Sequence, residues 1–355
     1  MNNSTNSSVV SIPGEENVLW YPEPLGSHVF RLFLYAIIFL LAVVGNIFVI
    51  FIVLRTRELH SVTGYLICNL SIADLGVGLI CLPFTLTYAE LTYWPFGLAL
   101  CKIIPFFQAT TIMASVATLS AISFDRFRSI AYPYEPRISI SKVKFIIAGI
   151  WFLAFLVNLP VLVVMKTLLV PQHGRMCDEF GWPSKQYRQV YTACSFVLTY
   201  AMPLPLMAIW YAIVIFKLEK AARENSDQEG FRVAKAKGKV VRMLIMVVVA
   251  YFICYLPYHV VWLWFEFGKG STYRYYWVLL SYTQVLVYSN SFTNPILYYF
   301  FSEQFRRGFS RTCKCRLTRR KSQREPKSRS NRLLSIDRAN KTLMSETDPS
   351  AVGWK

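Results

Sequence analysis

Seven apolar runs of roughly 20 to 28 residues decide what this chain can become, because each is long enough to cross a hydrocarbon core of about 30 Å. Inside lipid every backbone N–H and C=O must find an internal partner, which leaves helices or a closed β-barrel. The runs lack the strict polar alternation of barrel strands. They read as helices near 29–54, 64–89, 98–131, 142–165, 188–218, 235–267 and 275–301. A soluble protein with buried core helices is the alternative, and it fails on coverage: seven such runs in 355 residues leave almost nothing to face water. Composition agrees, with 54% hydrophobic and 16% charged residues, where a soluble domain carries about a quarter charged. The expected fold class is an all-α membrane protein, a seven-helix bundle with a short amphipathic eighth helix. Its expected segments are an outer glycosylated stretch at 1–28, the bundle at 29–301, the eighth helix at 302–315 and a basic disordered tail at 316–355.

The net charge of +18 would suit nucleic acid, but its placement argues against that partner. Lys and Arg fall on every second connection: Arg55 and Arg57; Arg126, Arg128, Arg137, Lys142 and Lys144; then Lys217, Lys220, Arg223, Arg232, Lys235, Lys237 and Lys239; and the tail. The N-terminal stretch has Glu15, Glu16 and Glu23 before its first base, Arg31. By the positive-inside rule the odd connections and the tail are expected in the cytoplasm and the N-terminus outside, in a multi-pass protein of the plasma membrane. No apolar stretch precedes Val29, so the first helix is expected to act as signal anchor. Asn2, Asn3 and Asn6 each open an N-x-Ser/Thr glycan acceptor, which makes sense on the outer side. Cys101 and Cys177 both face that oxidising side and are expected to pair. Cys313 and Cys315 follow an amphipathic inner stretch, where S-palmitoylation is expected.

Polar groups at membrane depth are costly and few. They are Asn46 in the first helix, Asp74 in the second, Ser115 in the third, and Asn290, Ser291 and Asn294 in the seventh. An isolated carboxylate at Asp74 needs partners. The Asn and Ser groups supply either a hydrogen-bond network or a cage for one small cation, and both readings stand. Pro83, Pro160, Pro203, Pro257 and Pro295 each fall within a helix, and the resulting bends suit a bundle splayed around a cavity.

Several short motifs occur in order, one per helix: "GN" at 45–46, "LSIADL" at 70–75, "DRF" at 125–127, Trp151, Pro203, "CYLP" at 254–257 and "NPILY" at 294–298. Over residues 29–315 the chain resembles the rhodopsin-like G-protein-coupled receptors. The resemblance implies a disulfide between Cys101 and Cys177. No cofactor is expected, apart from an allosteric sodium ion in the cage reading of Asp74. The resemblance also implies a switch in which Asp125 holds Arg126 at rest, then releases it as the sixth helix swings outward and a heterotrimeric G protein docks. Tyr211 and Tyr298 match the family's inward-turning tyrosines. Tyr255 stands where the family usually has Trp before Leu-Pro, and Tyr251 replaces a neighbouring Phe, so the toggle above Pro257 and Pro295 is more polar. The family's acid low in the sixth helix is absent, with Lys237 and Lys239 in its region; that predicts raised basal activity.

The ligand is narrowed by what is missing. Gln108 stands where amine receptors carry Asp, and the seventh helix has no Lys for retinal. Asp178 and Glu179 follow Cys177 directly, and Glu266 closes the sixth helix about 13 Å above Pro257 at 1.5 Å per residue. Glu266 either meets a basic group of the ligand, pairs with Lys269 or Arg274, or is solvated. Aromatics at the mouth (Tyr88, Trp94, Phe106, Trp182, Tyr187, Trp262, Trp264 and Phe265) either line a site or form a lipid belt. "CKIIPFFQ", "DRFRSIAYPYEPRISI" and "CDEFGWPSKQYRQVYT" resemble receptors for RF-amide and neuropeptide Y-type peptides. That implies a peptide ligand with a C-terminal Arg-aromatic-amide, contacted by Gln108, Asp178, Glu179, Glu266 and Gln284; a lipid or other non-peptide ligand is the runner-up. Phe301, Phe305 and Phe309 recur four apart among Arg306, Arg307, Arg311 and Lys314, as in a helix lying at the lipid surface. Ser335, Thr342, Ser345 and Thr347 are candidate phosphorylation sites for receptor kinases and arrestin. A transporter would show internal repeats and midplane substrate charges; Asp74 is alone. The four His are scattered and no Gly-rich phosphate loop appears, which leaves no enzymatic constellation.

Overall fold

A computed structural model describes residues 8–10, 18–20, 23–170, 174–224, 228–273 and 275–310. The bundle lies in the first of two compact units, Met1–Arg306; the second begins at Arg307. The spanning helices are α1 (Leu25–Arg55), α2 (Val62–Leu91), α3 (Gly97–Ala131), α4 (Ile140–Val164), α5 (Lys185–Arg223), α6 (Gln228–Phe267) and α7 (Tyr276–Phe301). After a break at Ser302, residues 303–310 form a short α8. Two short antiparallel hairpins complete the described elements: β1 (Ser8–Val10) with β2 (Val18–Trp20), and β3 (Lys166–Val170) with β4 (Gly174–Asp178).

The ring closes as α1–α2–α3, α3–α5, α5–α6, α6–α7 and α7–α1, with α4 packed on α3 from outside. On α4 the large side chains of Phe145, Phe152 and Val163 are exposed, as lipid-facing residues should be. α1 to α6 are apolar enough to cross a bilayer by composition alone. α7 is less apolar because it buries Ser281, Thr283, Asn290, Ser291 and Asn294 inside the bundle; its 26 residues still rise about 39 Å at 1.5 Å each.

Helix ends follow the expected positions closely except on α5 and α6, which run several residues further than 218 and 235. Past the apolar core the α5 sequence continues "KLEKAARE", all good helix formers, so the helix persists where its hydrophobicity stops. The prolines are accommodated in two ways. Before Pro83 and Pro203 the helix widens into π turns at Val77–Cys81 and Val197–Ala201, with the N–H of Leu82 bonding Val77 O and that of Met202 bonding Val197 O. Pro160, Pro257 and Pro295 sit within continuous helix, as does Pro105 of α3, which the motif reading passed over.

Joints between helices are polar and specific. The Trp151 indole of α4 donates to Asn69 Oδ1 at 2.9 Å, and Asn69 Nδ2 donates to Thr118 Oγ1 at 2.8 Å, linking α4, α2 and α3. Where α1 meets α7, Gly45 lets the backbones close: a Cβ there would lie 2.9 Å from Pro295 Cβ. The proline ring cannot move aside as a flexible side chain would. Gly45→Ala is therefore expected to destabilise the bundle by about 1–3 kcal/mol through overpacking, read as a lower thermal unfolding midpoint in detergent.

Candidate functional site

At the end of the bundle marked by Cys101, a cavity opens between α2, α3, α5, α6 and α7. Gln108, Asp178, Glu179, Glu266 and Gln284 all line it, so the five expected ligand contacts are brought to one site. The Cys101–Cys177 disulfide is formed. It carries the β3–β4 hairpin over the mouth and sets Asp178 and Glu179 on the rim. The Tyr88 hydroxyl, bonded to Cys177 O at 3.2 Å, fixes the same strand to α2.

The carboxylates are already engaged. Glu266 is buried at the end of α6, and Arg188 Nε on α5 lies 3.0 Å from its Oε1 and 3.1 Å from its Oε2. Among the described residues Arg188 is thus a charge partner of Glu266; Arg274, one of the two bases weighed from sequence, lies outside the described residues. The Arg188 guanidinium also stands over the Phe265 ring, 5.6 Å from its centroid. Glu179 accepts a 2.7 Å bond from the Trp182 indole. Burial pushes the Glu179 carboxyl above the ordinary glutamate range, with the Trp182 bond and the Arg188 charge acting against it. Lower in the cavity the Tyr288 hydroxyl of α7 donates to Gln108 Oε1 at 3.1 Å and lies 2.8 Å from Thr85 Oγ1. Tyr88, Trp94, Trp262 and Phe265 line the cavity, whereas Tyr187 and Trp264 are exposed and Phe106 packs edge-on against Phe155. Both readings of the mouth aromatics hold, each for part of the set.

Below the cavity, Asn294 Nδ2 donates to Asp74 Oδ2 at 2.8 Å and the Ser291 hydroxyl bonds the same carboxylate. Asn46 Nδ2 donates to the Ser291 carbonyl at 2.7 Å. Ser115 and Asn290 are buried alongside the others in the interior. Four buried oxygens, Asn46 Oδ1, Ser71 Oγ, Asn290 Oδ1 and Asn294 Oδ1, have no hydrogen-bond partner among the described residues. Unengaged oxygens in the same layer as a carboxylate fit a small hard cation. Beneath them Tyr251 donates to Thr199 O at 2.7 Å and stacks on Tyr255.

At the opposite end Arg126 Nη2 lies 2.6 Å from Asp125 Oδ2, and the same oxygen accepts 2.8 Å from Thr63 Oγ1. A cleft there is lined by Arg126, Arg128, Arg137 and Lys237, with Asp125 and Glu135 among them. Tyr211 accepts from Ser123 at 3.0 Å, and Tyr298 is buried against Phe305 with ring centroids 5.3 Å apart. Asn2, Asn3, Asn6, Cys313, Cys315 and the candidate phosphorylation sites lie outside the described residues.

The 7 transmembrane receptor (rhodopsin family) profile matches residues 45–298. The chain belongs to the rhodopsin family of G-protein-coupled receptors. It is 37% identical over 305 residues to human neuropeptide FF receptor 1, covering 81% of this chain and 71% of that protein. It is 34% identical to rat neuropeptide FF receptor 2, with 79% and 72% covered. With the RYamide receptor of Tribolium castaneum it shares 35% identity, with 78% of each chain covered. The receptor is a multi-pass membrane protein and not an enzyme.

Two features of the receptor escaped the motifs. Lys239 of α6 does not stand idle: its Nζ is 3.0 Å from Glu303 Oε1 at the start of α8. The missing acid of α6 is replaced by a pair running to a different helix, although an exposed pair contributes only about 0–1 kcal/mol. The second feature is Arg31, only 1% exposed on α1. It donates to Glu90 Oε1 at 2.7 Å, to Glu23 Oε2 at 2.8 Å and to Ser281 Oγ at 3.2 Å, joining the segment before α1 to α2 and α7. An Arg within an apolar 31-residue helix, apart from the terminal Arg55, was the available signal. Removing a buried cation leaves its acids uncompensated. Arg31→Met is expected to destabilise the receptor by about 3 kcal/mol, with partial recovery when Glu90→Leu is added, measured by thermal unfolding.

Proposed function

We propose that this receptor sits in the plasma membrane with its N-terminus outside and its tail in the cytoplasm, and that an amidated Arg-aromatic peptide activates it. The observation that carries this reading is the convergence of Gln108, Gln284, Asp178, Glu179 and Glu266 on one cavity beneath the disulfide-held hairpin. A guanidinium of the peptide meets Glu266 in a charge-assisted pair, and the neutral amide end descends toward Gln108. Neuropeptide FF and RYamide receptors among the relatives support this ligand class. Ligand in the cavity favours a bundle in which α6 moves outward, Arg126 leaves Asp125, and a G-protein helix enters the basic cleft. Arrestin and receptor kinases then act on the tail, and α8 rests on membrane lipid.

Amidated peptides ending in Arg-Phe or Arg-Tyr are expected to stimulate guanine-nucleotide exchange by receptor-bound G protein, and their free-acid forms much less; equal silence of all of them would sink the ligand class. Arg126→Ala is expected to bind peptide at normal surface level yet leave exchange at the unstimulated rate.

A sodium ion held at Asp74 would couple to the agonist through the bundle. Agonist affinity in the wild type is expected to fall about fivefold or more when sodium replaces a bulky organic cation. In Asp74→Asn that difference should vanish. Equal sodium dependence in both receptors would reduce the site to a hydrogen-bond network.

A further inference from the structure

We propose that Tyr288 is a positioning residue that fixes the sense of the Gln108 amide, so that Gln108 offers the ligand an N–H and reads a hydrogen-bond acceptor. This deepens the reading of Gln108 above and rests on it. Gln108 lines the cavity from α3 and Thr85 lines it from α2, while Tyr288 on α7 is only 1% exposed. Its hydroxyl lies 3.1 Å from Gln108 Oε1 and 2.8 Å from Thr85 Oγ1. The ring belongs to a buried cluster with Tyr35, Val77, Cys81, Leu82 and Val285, its centroid 5.7 Å from that of Tyr35. A phenol packed this way has little freedom to aim elsewhere.

A phenol carries one proton, and that count sets the direction of the chain. Tyr288 accepts from the Thr85 hydroxyl and donates to Gln108 Oε1, which gives both hydroxyl protons an acceptor. In the reverse sense Tyr288 donates to Thr85, the Gln108 amide is turned so that its nitrogen faces Tyr288, and the Thr85 proton has no acceptor among the described residues. Aligned bonds also polarise one another, which favours the complete relay. With Oε1 occupied, the Gln108 Nε2 group has no partner among the described residues, and it is not one of the buried polar atoms left without one. Its N–H groups therefore reach the cavity. A peptide's C-terminal amide has both a carbonyl and an NH2, and Gln108 held in this sense selects the carbonyl. A free acid would accept from the same N–H, so its expected weakness comes from the cost of taking a carboxylate out of water. Phe at position 288 would preserve the ring and lose the constraint, leaving the Gln108 amide free to turn either end to the ligand.

The test measures binding to the full receptor of three peptides that differ only at the C-terminal group after Arg-Phe: the amide, its thioamide and its methyl ester. Sulfur accepts hydrogen bonds more weakly than oxygen, so the thioamide keeps the N–H groups and weakens the acceptor. The ester keeps the carbonyl and has no N–H. Wild type is expected to bind the amide about tenfold more tightly than the thioamide, and the ester more tightly than the thioamide. Tyr288→Phe is expected to cut that tenfold ratio to about threefold or less, because a freed Gln108 accepts from the thioamide N–H. Gln108→Leu measures what the larger sulfur costs by bulk, and its ratio is expected within about twofold of unity; adding Tyr288→Phe to it is expected to change nothing beyond about twofold. Thr85→Val is expected to keep the wild-type ratio, since Tyr288 still donates to Gln108 Oε1. A ratio that collapses in Thr85→Val means that Tyr288 had been donating to Thr85, and overturns the relay without recourse to any change at position 288. Equal weakening of all three peptides by Tyr288→Phe reduces the tyrosine to packing and overturns the proposal, as does a wild type that prefers the thioamide to the ester. Tight binding of the amide with a ratio indifferent to position 288 removes this proposal alone. Failure of the wild type to bind any of the three removes the proposed ligand class with it.

Discussion

Lipid offers no hydrogen bonds, and the bundle is organised around that refusal. A polar side chain on a spanning helix turns to its own backbone or to another helix, so packing is directed by polar contacts as much as by shape. α7 shows the consequence. From one end to the other its Ser281, Tyr288, Ser291 and Asn294 are bonded to Arg31 on α1, Gln108 on α3, Asn46 on α1 and Asp74 on α2. A helix with that many polar groups is a poor candidate for lipid when read alone. Inside the bundle the same groups set its rotation and depth against three neighbours.

The same constraint sorts the guanidinium groups. Arg31, Arg188 and Arg126 each hold a carboxylate, and their side chains are 2%, 17% and 26% exposed. Arg31 is sealed among two acids and a hydroxyl, which suits a fixed structural joint. Arg188 and Arg126 line open cavities at opposite ends. Breaking a buried pair without replacement is costly, so a pair that is meant to break must sit where its replacement can arrive.

Spanning helices, disulfide and cavity residues were legible because each depends on local or motif-level chemistry. Length and apolarity place a helix, and Gln108 and Glu266 fall on helix faces whose direction the Cys101 and Pro257 positions set. Two kinds of feature were not legible. The ends of α5 and α6 depend on helix propensity in water, where the hydrophobic pattern has stopped. The pairing of Glu266 with Arg188 depends on the approach of α5 to α6, which brings Arg188 in from 78 residues away, beyond the reach of the neighbouring bases weighed from sequence. Arg31 was visible as an anomaly, but Glu23 and Glu90 as its partners were not, since they lie on separate segments.

The π turn in α5 connects these observations to the path between the two ends. A π turn shifts the carbonyl pattern of the helix by one residue, and at Val197–Ala201 it coincides with two cross-links to α6. The Tyr251 hydroxyl donates to Thr199 O at 2.7 Å, and the Tyr200 hydroxyl donates to Phe252 O at 3.1 Å. Each helix thus lends a tyrosine to the other's backbone at the same height. The first of these bonds needs the hydroxyl that the family's usual Phe at position 251 would lack. Tyr255, smaller than the usual Trp, stacks on Tyr251 at 4.4 Å between ring centroids and so packs directly on that cross-link. Any separation of α6 from α5 at this level would shear two hydrogen bonds together. The toggle that looked merely more polar in sequence is therefore a polar fastening between α5 and α6, set between the ligand cavity above and Arg126 below.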